Sequence, residues 1–378
     1  MLALGCLAGV AVLLALFSLR GDRRCAAYVR ERLTAAPHRL PLASVIVPVK
    51  GHDEGLRENL AALAALDYPD YELIVVARTA ADIPPGALPA RAKVVLAHGD
   101  RPTSSEKVQN LSAAVRAIRK DSEVLAFADS DGRVTARWLR ALVAPLDEPG
   151  VGASTGYRWF MPQPATLWSL VRAVWDAVAA GLFGPADSPF AWGGAMAIRK
   201  ATFQQARVPD SWQNAVSDDY ALSAAVHAAG LRIAYAPGAL TPSLDHTTAW
   251  RFLEWSRRQA IVTRFHNPAL WRAALAAHVV YCTGMTAGLI LCVRGHWAGA
   301  ALLAAQLLPG MWKGARRTLL ARAALPEYAG WFRRWGWIHA AGTPLATWLW
   351  LVALATGGLR SSMVWRGYRY DFKRRRSL

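Results

Sequence analysis

Four short, mainly apolar runs alternate with helix-like stretches early in the chain, and this alternation limits the fold more than any other feature. The runs are SVIVPV at 44–49, ELIVVA at 72–77, AKVVLA at 92–97 and EVLAFAD at 123–129. The stretch DEGLRENLAALAAL follows the first run, and a helical pattern at 106–119 precedes the fourth. Strands that alternate with helices predict βαβ units and a mostly parallel sheet. We therefore expect an α/β domain over residues 40–265.

The fourth run ends in FADSDGRV, which places Asp129 and Asp131 one residue apart. In an open parallel sheet the ligand binds outside the carboxyl ends of the strands, so both carboxylates are expected at a binding site. Mg2+ and Mn2+ prefer such oxygen ligands and share them with substrate phosphates. A polar turn is the alternative, because Asp-Ser-Asp-Gly is good turn chemistry.

A second acidic motif, SDDY, contains Asp218 and Asp219 and begins a helix-like stretch. Ser217 or Asp218 is expected to cap this helix, and acidic residues are favoured in its first turn. Capping does not require both aspartates. The second is a candidate general base that takes a proton from an acceptor hydroxyl.

Two further stretches suggest contacts with substrate. Gly193 and Gly194, in FAWGGAMAIRK, allow close approach of a ligand to the backbone, with a tight turn as the alternative. Downstream, the helix-like stretch WRFLEWSRRQAIVTR contains the candidates Trp255, Arg257, Arg258 and Gln259. Arginine and tryptophan on one face of this helix are expected to bind a diphosphate and an acceptor, and an interfacial helix that meets lipid phosphates is the alternative.

Long apolar segments at both ends of the chain predict a membrane protein. The net charge is +18, and basic clusters flank these segments together with many of the 17 tryptophans, as at cytoplasmic membrane boundaries. We expect an N-terminal anchor at 1–20, with a cleaved signal peptide as the alternative. A C-terminal region at 272–360 is expected to hold two to three membrane segments, followed by a basic tail at 361–378. The candidate segments in it are 273–293, 297–312 and 337–359, with an interruption expected at Pro309 and Gly310 and a kink or break at Pro344.

The motifs together resemble a known family. The opening stretch from Ser44, FADSDGRV, SDDY, the lysine-containing SSEKVQNL at 104–111 and the closing VWRGYRY at 364–370 occur in the order found in family-2 and family-21 inverting glycosyltransferases. The likeness is greatest to the ceramide glucosyltransferase group and its bacterial relatives. It extends from residue 44 to residue 370.

The resemblance implies a GT-A fold, which is Rossmann-like, and a UDP-sugar donor. Asp129 and Asp131 would hold a divalent metal and the donor diphosphate. Asp219 would be the catalytic base, with Asp218 as the second choice, and Lys107 would lie near the donor. Asp82 is the first acid after the second strand and the candidate for the family's first acidic motif. Arg258 takes the place of the arginine in the family's Gln/Arg-x-x-Arg-Trp motif, as a donor-binding residue.

These inferences predict a glycosyltransferase that moves a hexose, with glucose as the expected sugar, from a UDP-sugar to a lipid hydroxyl in glycolipid or sphingolipid metabolism. Its expected location is a bacterial inner membrane, with the catalytic domain in the cytoplasm. Acceptors that remain open are ceramide, a hopanoid, diacylglycerol and a polyprenyl phosphate. A non-catalytic component of a polysaccharide-export machine is an alternative. Nucleic acid is the least favoured partner, because the basic charge clusters beside the apolar segments.

Overall fold

The computed structural model describes residues 2–98 and 103–372, except for the side chains of residues 2–8, 16–18 and 20–23. Contacts divide the chain into two units. One consists of residues 28–163 and 182–245, and we call it the sheet unit. The other consists of residues 1–27, 164–181 and 246–378, and we call it the helical unit.

The strands are short and lie mainly in the sheet unit. In chain order they are β1 (Ala43–Pro48), β2 (Tyr71–Ala77), β3 (Ala92–Leu96), β4 (Val124–Ala128), β5 (Val151–Thr155), β6 (Arg158–Phe160), β7 (Ala195–Arg199), β8 (Arg232–Tyr235), β9 (Thr241–Ser243), β10 (Ser362–Trp365) and β11 (Tyr368–Asp371).

The helices are short in the sheet unit and longer in the helical unit. In chain order they are α1 (Leu2–Thr34), α2 (Leu56–Ala64), α3 (Glu106–Arg116), α4 (Trp138–Val143), α5 (Leu167–Ala179), α6 (Lys200–Gln205), α7 (Val208–Trp212), α8 (Asp218–Ala228), α9 (Ala249–His266), α10 (Pro268–Val293), α11 (Trp297–Ala324), α12 (Ala329–Trp335) and α13 (Trp337–Gly358).

A seven-stranded sheet in the order β3-β2-β1-β4-β7-β5-β8 forms the centre of the sheet unit. The four predicted strands pair with one another in parallel, and β5 pairs with β8 in parallel. Strand β7 is antiparallel to both β4 and β5. The predicted α/β fold with a mostly parallel sheet is confirmed. Because β1 lies between β2 and β4, the carboxyl ends of these three strands share one edge of the sheet.

Both faces of this sheet are buried at its central strands, which explains why those strands are almost continuously apolar, whereas the edge strand β3 is partly exposed. On β1, Val45 and Val47 belong to the core on one face, and Ile46 belongs to the core on the other. Helices α2 and α4 cover the first face, and α3 and α8 cover the second. This rigid layer positions the loops that follow β1, β2 and β4.

The helical unit contains α5, α9 to α13 and the β10–β11 hairpin. Two of these helices, α5 and α9, fall within the expected domain at 40–265 but belong to the helical unit and not to the sheet unit. Within the described residues, α10 and α13 are long and apolar enough to cross a membrane. The predicted segment 297–312 forms the first part of α11, which is not one of these two helices. The two apolar helices agree with an association with membranes.

The chain is not interrupted at the two prolines: Pro309 and Pro344 both lie inside continuous helices. Small residues allow these helices to pack closely. A Cβ atom on Gly310 would lie 3.0 Å from the ring of Pro344, and one on Gly314 would overlap the backbone of His339. The glycine and proline residues therefore serve helix packing at this position.

The predicted ends of the chain lie partly outside the described residues. Helix α1 continues through the expected anchor at 1–20 to Thr34, but several of its side chains are not described. The expected basic tail begins with the hairpin of β10 and β11, and residues 373–378 lie outside the described residues.

Candidate active site

Lys107 joins two of the predicted motifs. It lies in the first turn of α3, whose N-cap Ser105 accepts a hydrogen bond from the backbone N–H of Val108. The Lys107 Nζ lies 2.8 Å from Oδ1 of Asp129 and 3.2 Å from Oδ1 of Asp218. Asp129 directly follows β4, and Asp218 is the first residue of α8. The ammonium group therefore brings the end of a central strand and the start of a distant helix together.

The charges in this cluster determine one another's protonation. Burial disfavours the charged form of Lys107, but Asp129, Asp218 and Asp219 together outweigh it and raise the lysine's pKa. Burial also raises the pKa of the Asp218 carboxyl to about 6, against the opposing effect of Lys107 and with the support of Asp219 and Asp129. The lysine thus remains charged at neutral pH. The pKa of Asp218, about 6, lies closer to neutral pH than that of an ordinary aspartate.

Asp218 is 3% exposed, and no described residue donates a hydrogen bond to its Oδ2. Ser217 occupies the N-cap position of α8, as expected, but its side chain makes no capping hydrogen bond. Ser217 instead donates a hydrogen bond from its hydroxyl to Oδ1 of Asp219. Of the two adjacent aspartates, Asp218 is therefore the buried partner of the lysine.

Asp219 is held in one orientation by three donors. Its Oδ1 accepts hydrogen bonds from the Ser217 hydroxyl and, at 2.7 Å, from the backbone N–H of Tyr220. Its Oδ2 accepts one from the backbone N–H of Gly193 at 3.2 Å. A carboxylate has about four acceptor positions, so one remains for a substrate hydroxyl. The geometry suits an oriented general base.

The two adjacent glycines have different structural roles. A Cβ atom on Gly193 would lie 2.8 Å from Oδ2 of Asp218, 3.1 Å from Nζ of Lys107 and 3.3 Å from Oδ2 of Asp219. One on Gly194 would lie 2.2 Å from the ring of Trp192. Gly193 therefore borders the charged cluster, whereas Gly194 makes room for an aromatic ring of the protein itself.

Asp131 reaches the same cluster through an arginine. Nη2 of Arg158 lies 3.0 Å from Oδ1 of Asp131 and 3.4 Å from Oδ2 of Asp129. Burial raises the pKa of the Asp131 carboxyl, Arg158 opposes this rise, and Asp129, Asp245 and Asp53 add to it. Asp53 also accepts a hydrogen bond from the hydroxyl of Ser130, which stands between the two aspartates. Acidic groups outnumber the cations around Asp131.

These residues fit a divalent cation that takes further ligands from its substrate. The Asp129 and Asp131 oxygens converge on one cationic group, which shows that they can share a positive charge. No cluster of three His, Cys, Asp or Glu side chains suited to a metal ion occurs among the described residues. Mg2+ and Mn2+ are commonly held by one or two carboxylates together with phosphates and waters. The site therefore resembles a metal site completed by a diphosphate.

Asp82 lies beyond the carboxyl end of β2, in a 3-10 turn at Ala80–Asp82. Its Oδ2 accepts hydrogen bonds from the backbone N–H and the hydroxyl of Thr79, each at 2.9 Å. Its backbone carbonyl accepts one from Gly51, in the loop after β1. The carboxylate thus has a local structural role at the sheet edge on which Asp129 also lies.

The remaining predicted residues lie on α9 in the helical unit. The Trp255 ring packs edge-on against Trp175 at 5.2 Å between centroids. The Arg258 guanidinium lies over the Trp365 ring at 5.6 Å. Arg257 and Gln259 are partly buried on the same helix. Trp255 therefore contributes to an aromatic core, and Arg258 contacts the C-terminal hairpin.

Arg158 is the functional candidate that the sequence did not reveal. It begins β6, a three-residue strand whose parallel partner is β9, so that Arg158 lies opposite Thr241. The only local signal is an arginine between aromatic residues in GYRWF. Its place beside the two aspartates depends on pairing between segments more than 80 residues apart.

Among solved structures, a mannosyltransferase from Pyrobaculum calidifontis, in complex with GDP-mannose and Mn2+, is similar to this chain. The two are 19% identical, the match covers 92% of this chain and 99% of that one, and the TM-score is 0.52. Glucosyl-3-phosphoglycerate synthase from Mycobacterium tuberculosis matches over 63% of this chain and 82% of its own, with 16% identity and a TM-score of 0.41. The mannosyltransferase supports a GT-A fold. None of the curated protein sequences compared with this chain matches it significantly.

The sequence profile of glycosyl transferase family 21 matches residues 3–378, nearly the whole chain. The matched range includes Lys107 and the aspartates of both acidic motifs, Asp129, Asp131, Asp218 and Asp219. The resemblance inferred from the motifs is confirmed: this chain belongs to glycosyl transferase family 21, and it is a glycosyltransferase.

Proposed function

We propose that this protein is a membrane-bound, inverting glycosyltransferase that moves a hexose, with glucose as the first candidate, from a UDP-sugar to a lipid hydroxyl. One observation carries the proposal: a lysine and three aspartates meet at the carboxyl edge of the sheet. Lys107 pairs with Asp129 and Asp218, and Asp219 accepts a hydrogen bond from the neighbouring Gly193. Nucleotide ligands bind at this edge in open α/β sheets.

The donor diphosphate would lie beside Asp129, Asp131 and Lys107. A divalent cation bound by Asp129 and Asp131 would neutralise charge on the departing UDP. The ammonium of Lys107 is a point charge suited to a phosphate oxygen. We assign Asp82 to the uridine, because it follows β2, the strand next to β1 in the sheet. The residue's hydrogen bonds to Thr79 fix its orientation.

Asp219 would remove the proton from the acceptor hydroxyl as the oxygen attacks the anomeric carbon and the bond to UDP breaks. Three donors fix its carboxylate and leave one acceptor position. Asp218 is the second candidate, and its ion pair with Lys107 gives it a different role, which is to hold the lysine beside Asp129. A direct attack inverts the configuration of the sugar.

The acceptor is assigned to a lipid on the basis of the helical unit. Two of its helices are apolar enough to span a membrane, and basic residues flank them. The helix that precedes the first of these carries Trp255, Arg257 and Gln259, which are the candidates for contact with the acceptor or its phosphate. Arg258, on the same helix, is the candidate for contact with the donor. We place the enzyme in a bacterial inner membrane with the sheet unit on the cytoplasmic side, where UDP-sugars occur.

The test uses purified full-length protein with Mn2+ and a panel of donors: UDP-glucose, UDP-galactose, UDP-N-acetylglucosamine and GDP-mannose. Ceramide, a hopanoid polyol, diacylglycerol and a polyprenyl phosphate are offered as acceptors, and products are identified by mass spectrometry. We expect a hexosyl lipid from a UDP-sugar, with inverted anomeric configuration by NMR. Transfer from GDP-mannose alone would contradict the donor assignment, and products that form equally with Asp131→Asn would contradict the site.

A further inference from the structure

We propose that Arg158 is an exchangeable internal counter-ion: its guanidinium lies between Asp129 and Asp131, and a divalent cation that binds these two aspartates must displace it. The inference rests on the proposed function, because it takes these two aspartates as the metal ligands. It assigns to a residue outside every recognised motif a role in controlling when the metal binds.

The geometry places one guanidinium nitrogen on both carboxylates at once. Nη2 of Arg158 contacts Oδ1 of Asp131 at 3.0 Å and Oδ2 of Asp129 at 3.4 Å. The other oxygen of Asp129 is paired with Lys107. Both oxygens of Asp129 therefore face a cationic side chain of the protein, and a metal that binds this residue must compete with one of them.

The acidic surroundings of Asp131 explain why a positive charge of the protein itself lies beside it. Asp131 is influenced by the negative charges of Asp129, Asp245 and Asp53, and buried carboxylates without a nearby positive charge destabilise a fold strongly. Arginine suits this role because its guanidinium keeps its charge at all relevant pH values. Arg158 is 9% exposed, so little water reaches this position, and water could not replace the guanidinium in balancing the charge of the carboxylates.

The guanidinium and a divalent cation cannot share these oxygens without strong repulsion. Like charges only a few ångströms apart repel one another, and the repulsion is stronger in a partly buried site than in water. Binding of a metal at Asp129 and Asp131 therefore requires Arg158 to move away. A nucleotide diphosphate brings negative charge that favours this exchange, because arginine binds phosphate oxygens well.

Two aromatic rings hold the guanidinium independently of the carboxylates. Its central carbon lies 5.0 Å from the centre of the Trp192 ring and 5.1 Å from that of Phe160. Cation–π attraction of this kind persists when the ion pair is broken. Trp192 directly precedes Gly193, whose backbone N–H binds Asp219. The rings therefore keep a displaced arginine beside the acidic cluster.

The experiment measures Mn2+ binding directly, without nucleotide, by the loss of the free Mn2+ EPR signal in titrations of purified full-length protein. We expect Arg158→Gln to bind Mn2+ about tenfold more tightly than wild type, because the competing charge is gone. Arg158→Lys keeps a charge but lacks the planar fork, so its affinity should rise about threefold. This second variant carries the test if Arg158→Gln does not fold.

Arg133→Gln is the matched control. It removes a positive charge only two residues after Asp131, but its guanidinium contacts Asn59 at 3.1 Å and Glu58 at 3.9 Å instead of the two aspartates. We expect its Mn2+ affinity to stay within about twofold of wild type, because this guanidinium is partly solvent-accessible and contacts Asn59 and Glu58, so it does not compete for the Asp129 and Asp131 oxygens. An equal rise in this variant would mean that net charge, and not exchange, controls metal affinity.

The outcomes separate the inference from the proposed function. If wild type binds Mn2+, Asp131→Asn does not, and Arg158→Gln binds no more tightly than wild type, the exchange is wrong and the metal site stands. If wild type and every Arg158 variant fail to bind Mn2+, both the metal site and the exchange are wrong. Tighter binding by Arg158→Gln that Asp131→Asn abolishes supports both.

Discussion

The backbone N–H of Gly193 donates a hydrogen bond to Oδ2 of Asp219, with 3.2 Å between the two atoms. This bond ties the turn before β7 to the first turn of α8, two segments that the sequence separates by about 25 residues. It places a residue without a side chain against the proposed base. Close approach at Gly193 is therefore a property of the site itself.

Substituting the two neighbouring glycines should separate activity from stability. In Gly193→Ala the new methyl group would lie 2.8 Å from Oδ2 of Asp218, a movable side-chain end, so the protein should fold while the acidic cluster shifts. We expect sugar transfer to fall about a hundredfold, the scale of a small misplacement of catalytic groups. Gly181→Ala, whose methyl group would have no atom closer than 4.0 Å, is the control and should keep wild-type activity.

Gly194→Ala should instead destabilise the protein. Its methyl group would lie 2.2 Å from the packed ring of Trp192, and overpacking of this kind costs about 2 kcal/mol of unfolding free energy. The thermal unfolding midpoint in detergent should fall for Gly194→Ala and remain near wild type for Gly193→Ala. Equal midpoints for these two variants would refute the distinction.

Asp218→Asn should change how stability depends on pH. The Asp218 carboxyl has an ordinary pKa of 3.8, and burial is the main cause that raises its pKa in the folded protein to about 6. Between these values the folded protein binds a proton that the unfolded chain has lost, so this group's contribution to stability falls as pH rises. The asparagine variant lacks this contribution. The thermal unfolding midpoint of wild type should therefore fall relative to that of the variant as pH rises from about 4 to about 6. A difference between the two midpoints that stays constant over this range would contradict the burial argument.

Trp350→Ala should destabilise the helical unit. The Trp350 ring stacks on Trp175 with 3.8 Å between centroids and an angle of 6°, and its Nε1 donates a hydrogen bond to the Trp175 carbonyl at 3.0 Å. Loss of a partly buried tryptophan should cost about 3 kcal/mol of unfolding free energy. Trp348→Ala, on the same helix but 41% exposed, is the matched control and should change stability little. A similar fall in the unfolding midpoint for both variants would show that the stacked pair is unimportant.

The central strands and their shared edge were predictable from the sequence because the four runs are mainly apolar and each is separated from the next by a helix or a turn. That pattern places Asp129 at the carboxyl end of β4 without knowledge of distant contacts. The proximity of Lys107 to Asp129 was expected only from the family resemblance. It depends on the orientation of α3, which its pattern does not specify.

Other features depend on contacts that no local pattern encodes. Strand β6 has three residues, and its position follows from parallel pairing with β9, so the role of Arg158 was invisible in the sequence. The antiparallel strand β7 interrupts an otherwise parallel order, and it presents Gly193 to Asp219. Pro309 and Pro344 suggested interruptions, but both lie inside continuous helices, and the ring of Pro344 packs against Gly310.

The most direct test of the proposed chemistry is the single-turnover rate of sugar transfer from a UDP-sugar by Asp219→Asn. The control is Asp210→Asn, an exposed aspartate that pairs with Arg207 on the surface of the same unit. If Asp219 takes the acceptor's proton, its variant should transfer sugar about a thousandfold more slowly while binding UDP as wild type does, and the control should be unaffected. A wild-type transfer rate in Asp219→Asn would contradict the account.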